Sequence, residues 1–194
     1  MMRIIHQRRF LATFYELFPQ TFPKGKPTWN VEQAKLRKEY RALQAQHHPD
    51  MLSNTQLDDQ TQAQGGDRSS LLNKAYHTLK DPLLRSQYVL KVLRGMDLSQ
   101  EQVAQQIMQS DPGLLMKVLD THEQLEEVEN EEDVRAIEQE NKQRIKSIEA
   151  RLKDSFAEEQ YEQAAQLTVE LKYWVNLAKA IKEWEPGKPV NLTH

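Results

Sequence analysis

The chain has 194 residues, of which 38% are hydrophobic and 28% charged, and its formal net charge is -3. This composition fits one or two small ordered domains, and the charge argues against bulk attraction to nucleic acid or anionic membranes. The absence of cysteine excludes disulfides, thiolate metal sites and cysteine nucleophiles, and no apolar run approaches the roughly 18 residues of a membrane span.

The N-terminal stretch MMRIIHQRRFLATFYELF carries three arginines before its first acidic residue, Glu16. Apolar residues alternate with Arg3, Arg8 and Arg9, which is typical of a mitochondrial targeting peptide drawn inward by the membrane potential. The alternative is a frayed basic tail. We expect residues 1–11 to be a targeting peptide without fixed structure, and the protein to reside in the mitochondrial matrix.

A short helix and a longer one are predicted in the first quarter of the chain. Thr13 and Glu16 have the spacing of a capping box, which indicates a short helix that ends before Pro19. A longer helix is predicted at about 31–47 because four residues recur at helical spacing on one face. These residues are Leu36, Tyr40, Leu43 and His47.

The next segment, 51–69, is polar and contains two adjacent glycines, so we expect it to be mobile. A helix is predicted from Ser70 to Lys80. Pro82 either interrupts that helix or begins the following one, for which Gly95 is a stop signal.

The C-terminal half contains three long segments of helical periodicity, after a Gln-rich stretch at 96–109 that we expect to be a linker, in part helical. The first segment begins at Ser110 and runs to about Val128. The apolar stripe of the second is Val134, Ile137, Ile145, Ile148 and Leu152, and that of the third is Leu167, Leu171, Trp174, Ala178 and Ile181. The predicted fold is therefore all-α, with a three-helix bundle at 110–186 and a tail at 187–194.

The sequence HHPD at 47–50 lies at the end of the longer helix and is the most distinctive motif of the chain. Pro49 ends the helix and leaves His48 and Asp50 on either side of a stiff bend. The residues alone leave three interpretations open. A metal site lacks further ligands apart from His77, a His–Asp catalytic pair lacks a nucleophile and a pocket, and the remaining interpretation is a plain helix stop. Four basic residues precede the bend, mostly opposite the apolar stripe: Lys35, Arg37, Lys38 and Arg41.

These motifs together resemble a J domain, the module that activates ATP-driven chaperones of the DnaK type. The resemblance covers about residues 12–90 and rests on HPD followed by LNKAYHTLKDPLLRSQY at 72–88. It implies that residues 12–95 form a J domain, which docks on an acidic surface of the chaperone and accelerates ATP hydrolysis there, so the chain itself is no enzyme. The chaperone-binding residues implied by the resemblance are His48, Pro49, Asp50, Lys35, Arg37, Lys38 and Arg41.

The segment SDPGLLMKVLDTHEQLEE at 110–127 holds more apolar residues than one helix face can bury. At about 100° per residue, a core stripe is formed by Leu114, Val118, Thr121 and Leu125. Leu115, Met116 and Leu119 lie off this stripe, and acidic residues continue their face. Two interpretations stay open: a helix buried on two sides, or a patch that binds another protein.

The whole arrangement resembles the HscB-type cochaperones of iron–sulfur cluster assembly, most closely their mitochondrial members, in TFYELFP, RALQAQHHPD and LTVELKYW. The resemblance implies that the chain binds the cluster scaffold protein and delivers it to a dedicated DnaK-type chaperone to promote cluster transfer. The scaffold-binding positions that it implies are Leu115, Met116, Leu119, Asp120, Glu123, Glu127 and Tyr173. Some members carry Phe at the last position, and some carry a cysteine-rich metal module that this cysteine-free chain lacks. No cofactor or metal, and no nucleic-acid or membrane partner, is expected.

Three rival functions are weighed against this adaptor. A general J-domain cochaperone would bind many unfolded client proteins. An enzyme would use His48 and Asp50 in catalysis. A coiled-coil assembly element at 130–184 would make the chain a stable oligomer, whereas we expect a monomer.

Overall fold

The computed structural model describes residues 13–47 and 59–186, without the side chains of His47 and of residues 59–66. Within these ranges the chain forms seven α-helices and no strand, which confirms the all-α prediction. The predicted targeting segment, the HPD bend and the tail at 187–194 lie outside the described residues. The helices are α1 Gln33–His47, α2 Asp59–Lys80, α3 Pro82–Arg94, α4 Glu101–Gln109, α5 Pro112–Glu127, α6 Glu131–Ala157 and α7 Tyr161–Lys182. The chain divides into two compact units, Met1–Asp81 and Pro82–His194.

The segment that precedes α1 forms turns, and the short helix predicted there is absent from the described residues. Glu16 N–H does donate to the carbonyl oxygen of Thr13 at 3.0 Å, but this is a single turn. The segment is held by buried aromatic side chains and not by a continued helix, since Tyr15 and Phe18 are fully buried. The ring of Tyr15 also meets that of Phe22 edge-on, with centroids 4.8 Å apart. These rings anchor the segment to the first unit.

Helices α1 and α2 pack against each other and form the core of the first unit. Leu36 is fully buried, and Tyr40 stacks on Tyr76 with ring centroids 4.0 Å apart. Glu39, between them, is also buried, and its carboxylate accepts the N–H of Gln20 at 2.8 Å and the N–H of Thr21 at 2.7 Å. An α1 residue thus satisfies backbone donors of the preceding loop, as a buried charge requires.

Helix α2 begins at Asp59, so residues 59–69, predicted to be mobile, are helical. The two glycines lie within the helix, each less favourable there than alanine by about 1 kcal/mol. The Gln and Ala residues before them are good helix formers, and the prediction gave them too little weight.

Helix α3 begins at Pro82, as one of the two sequence alternatives predicted, and ends before Gly95, as also predicted. Gly95 has φ of 69°, and its N–H donates to the carbonyl oxygen of Lys91 at 3.0 Å. The left-handed conformation is accessible to glycine without steric penalty, which explains the stop. Contacts assign α3 to the second unit, although the sequence analysis placed it before the linker.

Residues 101–109, expected to belong to a linker, form α4 and are part of the second unit. This helix buries Ala104 and Met108 and packs on α5 and α7. The buried face of α4 was hard to recognise in the sequence, because only two of the nine residues of the helix are buried and most of the others are polar.

Helices α5, α6 and α7 are the three predicted helices of the C-terminal bundle, and α7 is its central member. It contacts α3, α4, α5 and α6, which explains why so many of its residues are buried. Its buried residues include four of the five in the predicted stripe and extend well beyond it: Ala164, Ala165, Leu167, Thr168, Val169, Leu171, Trp174, Leu177, Ala180 and Ile181.

Candidate functional site

Helix α5 carries the first candidate surface, and its sequence defines where the helix begins. Asp111 accepts the N–H of Leu114 at 3.0 Å as the N-cap, and Pro112 occupies the first turn, where a missing N–H removes no helical hydrogen bond. The predicted core stripe is confirmed, since its members are all buried: Leu114, Val118, Thr121 and Leu125. One apolar face of α5 is therefore buried in the bundle and anchors the helix there.

The second apolar group of α5 is exposed. Relative exposure is 44% for Leu115, 57% for Met116 and 53% for Leu119, so these side chains do not pack inside the bundle. Three exposed carboxylates continue the same face, those of Asp120, Glu123 and Glu127. We call these six residues the α5 patch.

The carboxylates of the α5 patch are available to a partner. None of them takes part in the ion pairs found among the described residues. An apolar centre with a charged rim is the usual anatomy of a protein–protein contact. The patch therefore has the composition of a docking surface, on the helix face that the sequence predicted.

Tyr173, the remaining predicted scaffold-binding residue, lies on α7, the helix against which α5 packs. It is partly exposed, and the adjacent Trp174 is buried. A rotation of about 100° separates neighbouring residues on a helix, so the indole faces the core while the phenol lies to one side.

The second candidate surface lies on α1 in the first unit. The side chains of Lys35, Arg37, Lys38 and Arg41 are all exposed, and we call them the cationic face. The one acidic residue among them in sequence, Glu39, is turned inward and hydrogen-bonded to the loop. Within α1 no other acidic residue is present, so the outer side of this helix carries positive charge. The residues predicted to complete this surface, His48, Pro49 and Asp50, lie outside the described residues.

Two family models match the chain: a DnaJ domain over residues 28–88 and an HSCB C-terminal oligomerisation domain over residues 110–182. The "J-type co-chaperone JAC1, mitochondrial" of Saccharomyces cerevisiae is 54% identical over 194 residues, which is 100% of both chains. The human "Iron-sulfur cluster co-chaperone protein HscB" is 30% identical over 156 residues, which is 80% of this chain and 63% of the human one. A solved structure of the Jac1 co-chaperone from Saccharomyces cerevisiae has a TM-score of 0.81 and 55% identity, covering 95% of this chain and 100% of that one.

The chain belongs to the HscB/Jac1 family of J-type co-chaperones. Such a protein is a regulator rather than an enzyme, and J-type co-chaperones act with chaperones of the Hsp70 type, to which the DnaK type belongs. The J domain and the HscB-type C-terminal domain occur in the predicted order, which confirms the resemblance found in the sequence.

Besides these two surfaces, the described residues were expected to hold neither a metal site nor a membrane-spanning helix. Within residues 13–47 and 59–186 no cluster of three or more His, Asp or Glu side chains forms a metal-binding group. None of the helices in this part of the chain is long and apolar enough to cross a membrane.

Other large apolar side chains of the second unit are also exposed, on α3, but the charged residues beside them differ from those of the α5 patch. On α3 they are Leu84, Val92 and Leu93, and the exposed charged residues of that helix, Lys91 and Arg94, are basic. No carboxylate lies on α3. The combination of apolar centre and acidic rim is therefore a property of α5 and not of every exposed helix face.

Proposed function

We propose that this co-chaperone is an adaptor between two proteins of iron–sulfur cluster assembly in the mitochondrial matrix. It binds the cluster scaffold protein through the α5 patch and Tyr173. It then delivers the scaffold to a dedicated Hsp70-type chaperone and stimulates that chaperone's ATPase, which promotes cluster transfer. The human relative named as an iron–sulfur cluster co-chaperone and the yeast relative named as mitochondrial support this assignment.

The observation that carries the proposal is the pair of apolar faces on α5. One face is buried and holds the helix in the bundle, while Leu115, Met116 and Leu119 remain in solvent. Burying these three side chains under a partner contributes roughly 5 kcal/mol or more before association costs of similar size are subtracted. The net affinity is then moderate and depends on the acidic rim, which suits a partner that must be released.

The cationic face of α1 and the HPD bend form the proposed contact with the Hsp70-type chaperone. Exposed cations attract an acidic partner surface and raise the rate of encounter. The HPD motif directly follows the same helix in the sequence, so His48 and Asp50 belong to the same proposed contact. The two contacts use different units, so one protein can be held while the other is engaged.

The test is a calorimetric titration of the scaffold protein with a double variant, Leu115→Ala with Leu119→Ala. We expect affinity to fall roughly tenfold to a hundredfold, since central apolar residues dominate such interfaces. The matched control is Val92→Ala with Leu93→Ala, which truncates two exposed apolar residues of the same unit outside the patch. Equal affinity for the double variant and the wild type would contradict the proposal, and thermal melts show whether each variant is folded.

A second arm separates the adaptor from a general co-chaperone for unfolded clients. The adaptor binds the folded scaffold and has little affinity for denatured peptides. Strong binding of several unrelated denatured peptides, lost in the Leu115→Ala, Leu119→Ala variant, would favour the general function instead. Sedimentation equilibrium checks the accompanying expectation that the free chain is a monomer.

A further inference from the structure

The side chain of Arg144, near the middle of α6, touches two other helices. Its guanidinium carbon lies 4.7 Å from the centroid of the Trp174 ring on α7. Its Nη1 donates to the hydroxyl oxygen of Thr121 on α5 at 3.3 Å. Its Nη2 pairs with Glu140, one turn earlier on α6. One guanidinium thus joins α5, α6 and α7.

The chemistry of the three groups explains why arginine suits this place. A guanidinium is planar, so it stacks on an indole ring while its N–H groups donate in the plane. The hydroxyl of Thr121 donates to the carbonyl oxygen of Lys117 at 2.8 Å, which leaves the oxygen free to accept from Arg144. Thr121 is only 4% exposed, so this hydrogen bond forms where water competes poorly.

Both contacts of Arg144 lie on the buried sides of α5 and α7, at the same level along each helix as the proposed docking surface. Thr121 lies on α5 between Leu119 and Glu123, two positions from each. Trp174 directly follows Tyr173 on α7. Helix α5 otherwise packs on α4 and α7, so Arg144 adds a contact from α6 at the level of the patch.

We propose that Arg144 is a positioning residue for the docking surface. By stacking on Trp174 and donating to Thr121, it fixes the rotation of α5 relative to α7. The α5 patch and Tyr173 are then presented to a partner together, without a loss of conformational freedom at the moment of binding. This inference rests on the proposed scaffold-binding function.

The chain offers a matched control in Asn141, one turn before Arg144 on the same helix. Its Nδ2 donates to the carbonyl oxygen of Trp174 at 2.9 Å, and its side chain is buried. Asn141 therefore holds the same tryptophan, but this hydrogen bond ties α6 to α7 and not to α5. Asn141→Ala weakens α6–α7 packing without removing the link to Thr121.

The experiment measures scaffold affinity of the full chain by calorimetry, at a temperature where melts show every variant folded. Arg144→Met and Thr121→Val are each expected to weaken binding roughly threefold to tenfold. The double variant should bind no more weakly than Arg144→Met alone, because both substitutions remove the same hydrogen bond between α6 and α5. Thr121→Val is informative because the buried hydroxyl makes no direct partner contact. Arg144→Lys keeps the charge but not the planar stack, and is expected not to restore affinity. Asn141→Ala should stay within about twofold of the wild type.

Hydrogen exchange of the free protein supplies a readout that needs no partner. Amides of α5 should exchange faster in Arg144→Met and in Thr121→Val than in Asn141→Ala. The inference is overturned if Asn141→Ala weakens binding as much as Arg144→Met, or if Thr121→Val leaves affinity and α5 exchange unchanged. If the wild type does not bind the scaffold, the proposed function fails, while the exchange data still decide whether Arg144 holds α5.

Discussion

The two units of the chain carry opposite charge and present different kinds of surface. Residues 1–81 hold 12 Lys and Arg against 8 Asp and Glu, whereas residues 82–194 hold 14 against 21. The first unit exposes cations on α1, and the second exposes apolar side chains with an acidic rim on α5. The formal net charge of -3 averages over this contrast and conceals it.

Under the proposed function, this contrast explains how one small chain selects two partners. Long-range charge sets which protein approaches each unit and how fast, while buried apolar side chains supply most of the affinity. A surface of cations alone suits brief encounters that trigger a reaction in the partner. A surface with an apolar centre suits holding a cargo until it is delivered.

The largest expected effect is on chaperone stimulation, and it tests whether the two units act independently. His48→Gln should lower stimulation of the Hsp70-type chaperone roughly a hundredfold in single-turnover ATPase assays, since the HPD motif belongs to the proposed contact. Scaffold affinity should be unchanged. The control is His77→Gln, the same substitution at an exposed position of α2 in the same unit. Loss of scaffold binding in His48→Gln would break the division between the units.

The two faces of α5 provide the next test. Leu125 is fully buried and Leu119 is half exposed, so Leu125→Ala should lower the free energy of unfolding by about 2–4 kcal/mol through cavity formation. Leu119→Ala should change it by about 0.5 kcal/mol or less, as surface substitutions do. Urea denaturation of both variants measures the difference. Similar losses would mean that the α5 patch contributes to the fold.

The buried face of α5 was predictable because helical periodicity is local. Leu114, Val118 and Leu125 share a face at about 100° per residue wherever the helix lies, so spacing alone orients it. The exposure of Leu115 was not predictable on the same grounds. It depends on whether another helix covers that side, and the residues alone left both outcomes open.

Contacts between distant segments could not be predicted from local spacing, for the same reason. Glu39 falls within a basic run, yet it is buried because the loop at Gln20 and Thr21 donates to it. Arg144 was not singled out, because its role needs Thr121 and Trp174, which lie on two other helices. Packing of α3 and α4 on α7 likewise explains burial beyond the predicted stripe.

A smaller effect is expected from charge reversal, which tests whether each unit selects its own partner by charge. Lys38→Glu with Arg41→Glu should weaken chaperone stimulation roughly tenfold at low salt and leave scaffold binding unchanged. Asp120→Lys with Glu123→Lys should do the opposite. All four side chains are exposed, so folding should be preserved. Both effects should shrink as ionic strength rises, because salt screens exposed charges. Salt-independent losses would argue against charge selection.

The smallest expected effect concerns stability at the junction of α3 and α4 in the second unit. Asp97 accepts a hydrogen bond from Lys91 Nζ at 2.7 Å and others from Ser99. These contacts, that of Lys91 first, lower the pKa of Asp97 to about 2 from an ordinary value of 3.8. Because the folded-state pKa is the lower one, the stabilisation is fully present above about pH 4 and is lost as pH falls towards about 2.

The measurement for Asp97 is a comparison of unfolding free energies of the wild type and Asp97→Asn across this pH range. The difference between them should be constant from neutral pH to about pH 4 and should shrink below it. The change should be small, because the Lys91 amine is exposed and water weakens the pair. Scaffold binding and chaperone stimulation at neutral pH should not change, since Asp97 belongs to neither surface. A difference that grows with acidity would contradict the direction of the pKa shift.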